Sequence, residues 1–335
     1  MAYLNIRDFG AVGDGIHDDT SALVAAMDQA VQEEGTVYFP SGVYAIHPVS
    51  VPSHITLFGC SAWSDGKGSD GTAVLKALSG NARAFLDLDA VRGTRMIGLT
   101  LDGGHLGKEM HGIYSRHGGV EQNNCYEDLK ICRFTGCGLK FDWVWVFAVR
   151  RCLVTENRLH GMDVDRGYDG WVIDSSFSHN ENSGIIAGPG MVCYTGNRID
   201  RNGLYGMVLD DTQNINVTGN RFFGNKGPAV FCRKSRSSAF SGNVIASCGL
   251  YAPEGQSSQV YLEGSCGITF TGNALSSQAE NVPEYGIIYK DMVDSVLLGN
   301  TLSQAAGREL LSVRGENVRM VCAANAGSFS DLEIR

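Results

Sequence analysis

Residues 138–166 read GLKFDWVWVFAVRRCLVTENRLHGMDVDR. One pattern occurs in them twice, as Gly138-Leu-Lys-Phe-Asp142 and as Gly161-Met-Asp-Val-Asp165. In both copies a glycine leads residues that alternate between apolar and polar. Alternation with a period of two marks a strand with one buried face. Leu139, Phe141, Met162 and Val164 are therefore expected to point inward, and Lys140, Asp142, Asp163 and Asp165 outward. The copies stand 23 residues apart, from 138 to 161, so each strand is one unit of a repeat.

The same period runs through the chain. An asparagine that closes a turn recurs at Asn197, Asn220, Asn243, Asn273, Asn300 and Asn325, at spacings of 23, 23, 30, 27 and 25 residues. A second series holds Asn157, Asn180, Asn202 and Asn225, and further glycine-led strands begin at Gly112, Gly184, Gly206 and Gly286. Repeats of this length mean a solenoid. Between the turns lie three- to five-residue runs such as Met207–Leu209 and Ile215–Val217, with no helical period. Three short strands and three turns fill one repeat, which is the coil of a parallel β-helix, and its stacked asparagines are expected to hydrogen-bond along the axis. Roughly ten coils fit between residues 55 and 330. Two coils are longer, with insertions at 248–258 and 276–285. Such loops either wall a groove or decorate the surface.

The first 46 residues differ. Gly10 and Asp14-Gly15 mark turns, and Asp18-Asp19-Thr20 precedes a helix from Ser21 with apolar positions at Leu23, Ala26, Met27 and Val31. Carboxylates ahead of a first turn satisfy free backbone N–H groups and suit the helix dipole, so Asp14, Asp18 and Asp19 are read as turn and cap residues. Strands follow at 36–40 and 43–46. The string DFGAVGDGIHDDTSALVAAMDQAV…GTVYFPSGVYAI, within residues 8–46, resembles the N-terminal signature of the pectate-lyase-like, polygalacturonase-like superfamily. That resemblance implies an all-β fold: a right-handed, single-stranded parallel β-helix behind a short capping helix. The expected organisation is a cap over residues 1–50 and one continuous β-helix over 51–335. The resemblance also implies action on polysaccharides, or a tailspike-like role, and side-by-side packing into a homotrimer.

Composition narrows the function. The chain has 335 residues, 43 of them glycine and 7 proline, and 19% are charged, which fits an ordered fold with many tight turns. A net charge of −9 argues against a nucleic-acid partner, because phosphate binding needs a basic face. No apolar run is long enough to span a membrane. The start, MAYLNIRDFG, has no basic-then-apolar leader, so a cytoplasmic location is expected. The ten cysteines include no Cys-x-x-Cys pair, and Cys132, Cys152, Cys193 and Cys322 take apolar places in the repeat. They are expected to be reduced and buried rather than disulfide-bonded. No His/Cys spacing points to zinc, so neither metal nor cofactor is expected, calcium excepted in one reading below.

Aligning the glycines stacks the outward residues. Two positions on stand Tyr114, Lys140 and Asp163; four positions on stand Arg116, Asp142, Asp165 and, further along, Asp210. Adjacent strands lie ~4.8 Å apart and alternate residues ~6.6–6.8 Å apart, so Asp142, Asp163 and Asp165 are the expected catalytic cluster. Like charges this close would split their pKa values, and a proton donor beside a base is what glycoside hydrolysis uses. A separation of ~5 Å would suit retention and ~6.5–9.5 Å inversion; the sequence leaves this open. Lys140, Trp143, Arg166, Asp210 and Arg233 are the expected substrate-binding residues. His160, at a coil corner, reads at least as well as a turn residue. A salt-linked surface is the competing reading of the cluster.

The region also resembles the catalytic coils of mannuronan C-5 epimerases. Those enzymes have an aspartate where this chain has Lys140, a histidine where it has Asp142, and a tyrosine where it has Cys137; Asp165 alone matches. The polygalacturonase motifs are absent. Three readings follow. The first is a glycoside hydrolase or transglycosidase. The second is a uronate lyase or epimerase in which Lys140 or Arg166 takes the proton and the aspartates hold Ca²⁺ through their oxygens. The third is a non-catalytic glycan-binding module. The expected partner is an oligo- or polysaccharide.

Overall fold

A computed structural model describes residues 3–33, 35–60, 63–64, 72–116, 120–278 and 282–328. It divides into two compact units, residues 1–176 and 177–335.

In the first unit, strands alternate among three parallel sheets. The first sheet runs Tyr3–Asn5, Thr36–Phe39, Thr56–Gly59, Arg95–Ile97, Asn124–Glu127, Val144–Arg150 and Gly167–Ile173. The second runs from Asp14–Asp18 through Gly42–Ile46, Ala73–Ala77, Thr100–Asp102 and Lys130–Cys132 to Leu153–Thr155. The third holds Val49–Ser50, Ala84–Asp89, His111–Arg116, Leu139–Asp142 and Met162–Val164. Every strand pairs in parallel with the one a coil away, the mark of a parallel β-helix. The inward residues expected from the alternation, Leu139, Phe141, Met162 and Val164, are buried. Gly138 is demanded by close approach: a Cβ there would collide with Val154 Cγ1 and lie 2.9 Å from Asn157 Nδ2.

The N-terminal helix spans Thr20–Glu33 and buries Ala22, Leu23, Ala26, Met27 and Ala30. Val31, expected inside, is exposed, because the buried stripe continues through Ala30. Asp19 is buried and accepts the backbone N–H groups of Val12 (2.7 Å) and Gly13 (3.1 Å). Asp14 accepts those of Ile16 (2.8 Å) and His17 (2.9 Å), which bring its carboxyl down to about 2. Both act in turns, as read. The flanking strands are already rungs, since Thr36–Phe39 pairs with Thr56–Gly59 and Gly42–Ile46 with Ala73–Ala77. Coiling therefore starts well before residue 55. Among the described residues the first sheet has, from Thr56 onward, five strands in the first unit and six in the second, in line with the roughly ten coils expected between residues 55 and 330.

The second unit repeats the three-strand coil. Its ladder of buried asparagines is the expected one. Asn197, Asn220, Asn243, Asn273 and Asn300 each donate Nδ2 to the Oδ1 of the next, at 2.9–3.1 Å, ending on Asn325. Each Oδ1 also accepts the backbone N–H of the preceding asparagine, as Asn220 does from Asn197 at 2.9 Å. A buried amide that fills both roles holds a turn at fixed pitch without an orphaned polar group. The second series runs Asn180, Asn202, Asn225 and stops at Cys248, whose Sγ lies 3.6 Å from Asn225 Nδ2.

At Cys248 the coil lengthens. Leu250 and Tyr251 of the 248–258 insertion wall a cleft. Gly255 and Gln256 instead lie against the outward face of the second unit's strands Met207–Asp210, Val230–Arg233, Ser258–Glu263, Tyr285–Lys290 and Glu309–Arg314, tied by Arg314 Nη1 to the Gly255 carbonyl (3.0 Å) and by the Tyr205 hydroxyl to Gln256 Oε1 (2.7 Å). There Tyr205, Phe231 and Tyr261 stack at 4.8 and 5.3 Å. Of the second insertion, residues 279–281 lie outside the described residues. All ten cysteines are free thiols. Cys132 and Cys152 are buried, and burial pushes both up to about 12, whereas Cys193 and Cys322 are only half-buried. Among the described residues no helix is long and apolar enough to cross a membrane.

Candidate active site

Three strands of the first unit, His111–Arg116, Leu139–Asp142 and Met162–Val164, carry the candidate residues side by side. Their register aligns Tyr114, Lys140 and Asp163 in one column and Arg116 with Asp142 in another. The Asp165 N–H donates to the Phe141 carbonyl at 2.8 Å, so Asp165 follows Asp142 on the next rung. The residues before the leading glycines, His111, Cys137 and His160, form a third column. The strip is thus three residues wide and three rungs deep, set by strand period and coil length alone.

Asp142, Asp163 and Asp165 do meet on this outward face, but each is matched to a cation. Lys140 Nζ donates to Asp163 Oδ2 at 2.7 Å. Arg166 Nη2 donates to Asp142 Oδ1 at 2.7 Å, and Arg116 Nε stands 3.7 Å from its Oδ2. Asp165 is exposed, with Arg166 Nε at 3.8 Å. Among the described residues no hydrogen bond joins one of these carboxylates to another. The expected cluster of mutually repelling acids is instead a set of ion pairs, because Lys140 stands beside Asp163 in one column and Arg116 and Arg166 reach Asp142 and Asp165 in the other. Trp143 is exposed, as expected, with the Arg166 guanidinium 5.6 Å from its ring centre. Trp171 is also exposed and Trp145 half-buried. In the second unit, Asp210 and Arg233 pair with each other, Arg233 Nε donating to Asp210 Oδ1 at 3.1 Å, so those two expected binding residues are one ion pair between adjacent rungs.

Three groups escaped the sequence reading as site residues. The Tyr114 hydroxyl donates to Asp142 Oδ2 at 3.2 Å. Arg83, 4.2 Å from the centre of the Tyr114 ring, is fixed by Asp87 (2.7 Å) and Asp89 (2.7 Å). Burial, then the Asp142 charge and hydrogen bond, raise Tyr114 above the usual phenol value, so it carries its proton at neutral pH. His111 is half-buried, and burial, then the Lys140 charge, hold it below the usual imidazole value. Its Nδ1 accepts the Cys137 N–H at 2.9 Å, so the neutral ring carries its proton on Nε2. His160 is likewise lowered, by burial first, with Asp163 opposing and Lys140 assisting. Tyr114 stood in the aligned columns, and its signal was that alignment; the histidines precede the glycine, and the alternation did not reach them. A cysteine sits buried at 137, where the epimerase resemblance calls for tyrosine, and the phenol on this face comes from another rung.

Burial acts to lower Lys140 too, but the Asp163 hydrogen bond and charge outweigh it, and its ammonium ends above the ordinary value. Lys140 is charged at neutral pH and is no proton acceptor, and Arg166 is raised by its bond to Asp142. Among the described residues no group of three or more His, Cys, Asp or Glu is placed to hold a metal ion.

Two family descriptions match the chain: "Rhamnogalacturonase A/epimerase, pectate lyase-like" over residues 3–83 and "Right handed beta helix region" over residues 110–275. The protein is a pectate-lyase-like right-handed β-helix, as residues 8–46 suggested, and it is related to mannuronan C5-epimerases. It is 28% identical over 197 residues to mannuronan C5-epimerase AlgE1 of Azotobacter vinelandii, a stretch covering 53% of this chain and 13% of that enzyme. The chain thus spans a small part of the length of such relatives. The A-module of mannuronan C-5 epimerase AlgE4 from A. vinelandii shares the fold with a TM-score of 0.77 at 19% identity, covering 98% of each chain. PfbA, a surface adhesin of Streptococcus pneumoniae, does so with a TM-score of 0.67 at 13% identity, covering 99% of this chain and 96% of that one.

Proposed function

We propose that the strip acts on a uronate-containing polysaccharide by abstracting the proton alpha to the sugar carboxylate, as an epimerase or lyase. The observation that carries this reading is the character of the proton carriers beside Lys140. They are two imidazoles kept neutral by burial and a phenol kept protonated, whereas Asp142 and Asp163 accept from cations. Hydrolysis of a glycoside needs a carboxylic acid as proton donor, and an oxygen that already accepts an N–H from lysine or arginine is poorly placed for it. The relatives named as epimerases support the same choice.

The Lys140 ammonium has three donors and gives one to Asp163, so it can also hold the substrate carboxylate. Neutralising that group acidifies the adjacent C–H. His160 takes the proton, and the electron pair passes into the carboxylate. Return of a proton from the Tyr114 hydroxyl to the carbon completes epimerisation; transfer of that proton instead to the departing 4-oxygen substituent completes elimination, and in either case solvent restores the phenol and takes the proton from His160. His111, with its proton on Nε2, offers a further donor.

The test is incubation of the protein with polymannuronate in D₂O, followed by NMR for deuterium at C5 and by ultraviolet absorbance for a new double bond. Deuterium at C5 or unsaturated ends, lost in Tyr114→Phe and His160→Gln, are expected. Cleavage to saturated ends without deuterium would restore the hydrolase reading.

A further inference from the structure

We propose that the second unit carries a glycan-binding cleft of its own, for an acidic sugar segment, with Tyr251, Lys226, Arg201 and Gln278 as its contacts. The cleft encloses about 530 Å³, within the ~300–1,000 Å³ typical of ligand sites. It lies where the coil departs from its repeat. Asn197 to Asn220 and Asn220 to Asn243 are steps of 23 residues, and Asn243 to Asn273 is a step of 30. The extra chain does not hang free. The Gly249 N–H donates to the Asn225 carbonyl at 3.1 Å and the Tyr251 N–H to the Lys226 carbonyl at 2.8 Å. Gly249 has φ 85° and no room for a side chain against the Ser258 backbone. The turn is therefore fixed, and it sets Tyr251 at the rim with 70% of its surface exposed. A sugar ring presents the flat C–H face that suits a large aromatic ring held out on a pinned turn.

The rest of the lining supplies polar recognition. Asn202 and Asn225 form the floor, locked by an Nδ2–Oδ1 bond of 2.9 Å. Gly224, at φ 62°, leaves that floor open, with only Arg201 Cγ within 4 Å of where a Cβ would be. The Arg201 guanidinium is oriented by buried Asp200, 3.0 Å from its Nη1, and stands 5.2 Å from the Phe223 ring centre. Lys226 makes no ion pair among the described residues, and Gln278 and Ser247 complete the wall. Two cations, an amide and a hydroxyl around one exposed aromatic ring match a sugar that carries a carboxylate. The cleft lies wholly in the second unit and shares no residue with the strip of the first.

Titration calorimetry with oligomannuronate tests this, using the full chain in a Lys140→Met, Tyr114→Phe background so that loss of the strip and loss of the cleft are read separately. Tyr251→Ala and Lys226→Gln are each expected to weaken binding about five- to tenfold, as truncation of a contact residue worth more than ~1 kcal/mol does. Arg201 is left alone because it also neutralises buried Asp200. Neutral manno-oligosaccharide of the same length is expected to bind at least tenfold more weakly. Unchanged affinity in both cleft variants, absence of binding in the background protein, or equal affinity for the neutral sugar would overturn the proposal.

Discussion

Lys140 Nζ lies 2.7 Å from Asp163 Oδ2, one rung away, and both are half-buried in the column that Tyr114 begins. The pair holds the Lys140 proton in the folded state at pH values where the unfolded chain, with a lysine value of ~10.4, would release it. Its contribution is therefore complete below about pH 10.4 and fades as pH rises through the higher folded value. Lys140→Met leaves Asp163 without its cation and should cost ~1–3 kcal/mol in urea unfolding at pH 7. The gap to wild type should narrow above about pH 10.4. Equal stability of variant and wild type at pH 7 would mean that the pair contributes nothing.

The imidazoles set an acid limit. Burial depresses His111 and His160, so in the fold both stay neutral to lower pH than a free histidine at ~6.5. Stability from this source is complete above about pH 6.5 and is lost as pH falls through the folded values. With His160 as base, the acid limb of C5 deuterium exchange should lie below about pH 6.5. A limb well above that value, or one unmoved by His160→Gln, would remove His160 from the role.

Tyr114→Phe keeps the ring beneath Arg83 and deletes only the hydroxyl on Asp142. Its melting temperature should stay close to wild type while the exchange rate falls ~10²–10⁴-fold, the usual worth of a positioned acid or base. A full-rate Tyr114→Phe protein would assign the proton to another group.

Asn220→Ala strips a buried turn of its amide. The Asn197 N–H and the Tyr194 carbonyl lose their partners, now at 2.9 Å each. Each buried polar group left unmade costs ~1–3 kcal/mol, so denaturant unfolding should show a loss of several. Thr218→Ala, at a half-buried outward site of the same rung, serves as control and should lose little.

Gly138→Ala tests the close approach beneath the strip. The new methyl meets Val154 and Asn157, and overpacking of this kind costs ~1–3 kcal/mol. Wild-type stability in this variant would show that the coil relaxes there freely.

Residue period and repeat length determined most of the fold on their own. A strand with period two must bury alternate side chains, and a glycine or asparagine every 23 residues must return the chain to the same corner. Leu139, Phe141, Met162, Val164 and the asparagine ladder follow from that rule without reference to anything distant. The rule also put Lys140, Asp142 and Asp163 on one outward face. What only the tertiary structure decided was which charge meets which. Asp163 is bound to Lys140 and Asp142 to Arg166 because pairing runs between rungs, along a direction on which the one-dimensional pattern carries no side-chain distances. Val31 turned outward because the helix's buried stripe was settled by what it packs on. Arg83, His111 and the Tyr251 cleft likewise depend on burial and on loop paths, which are properties of the packed chain and not of its order.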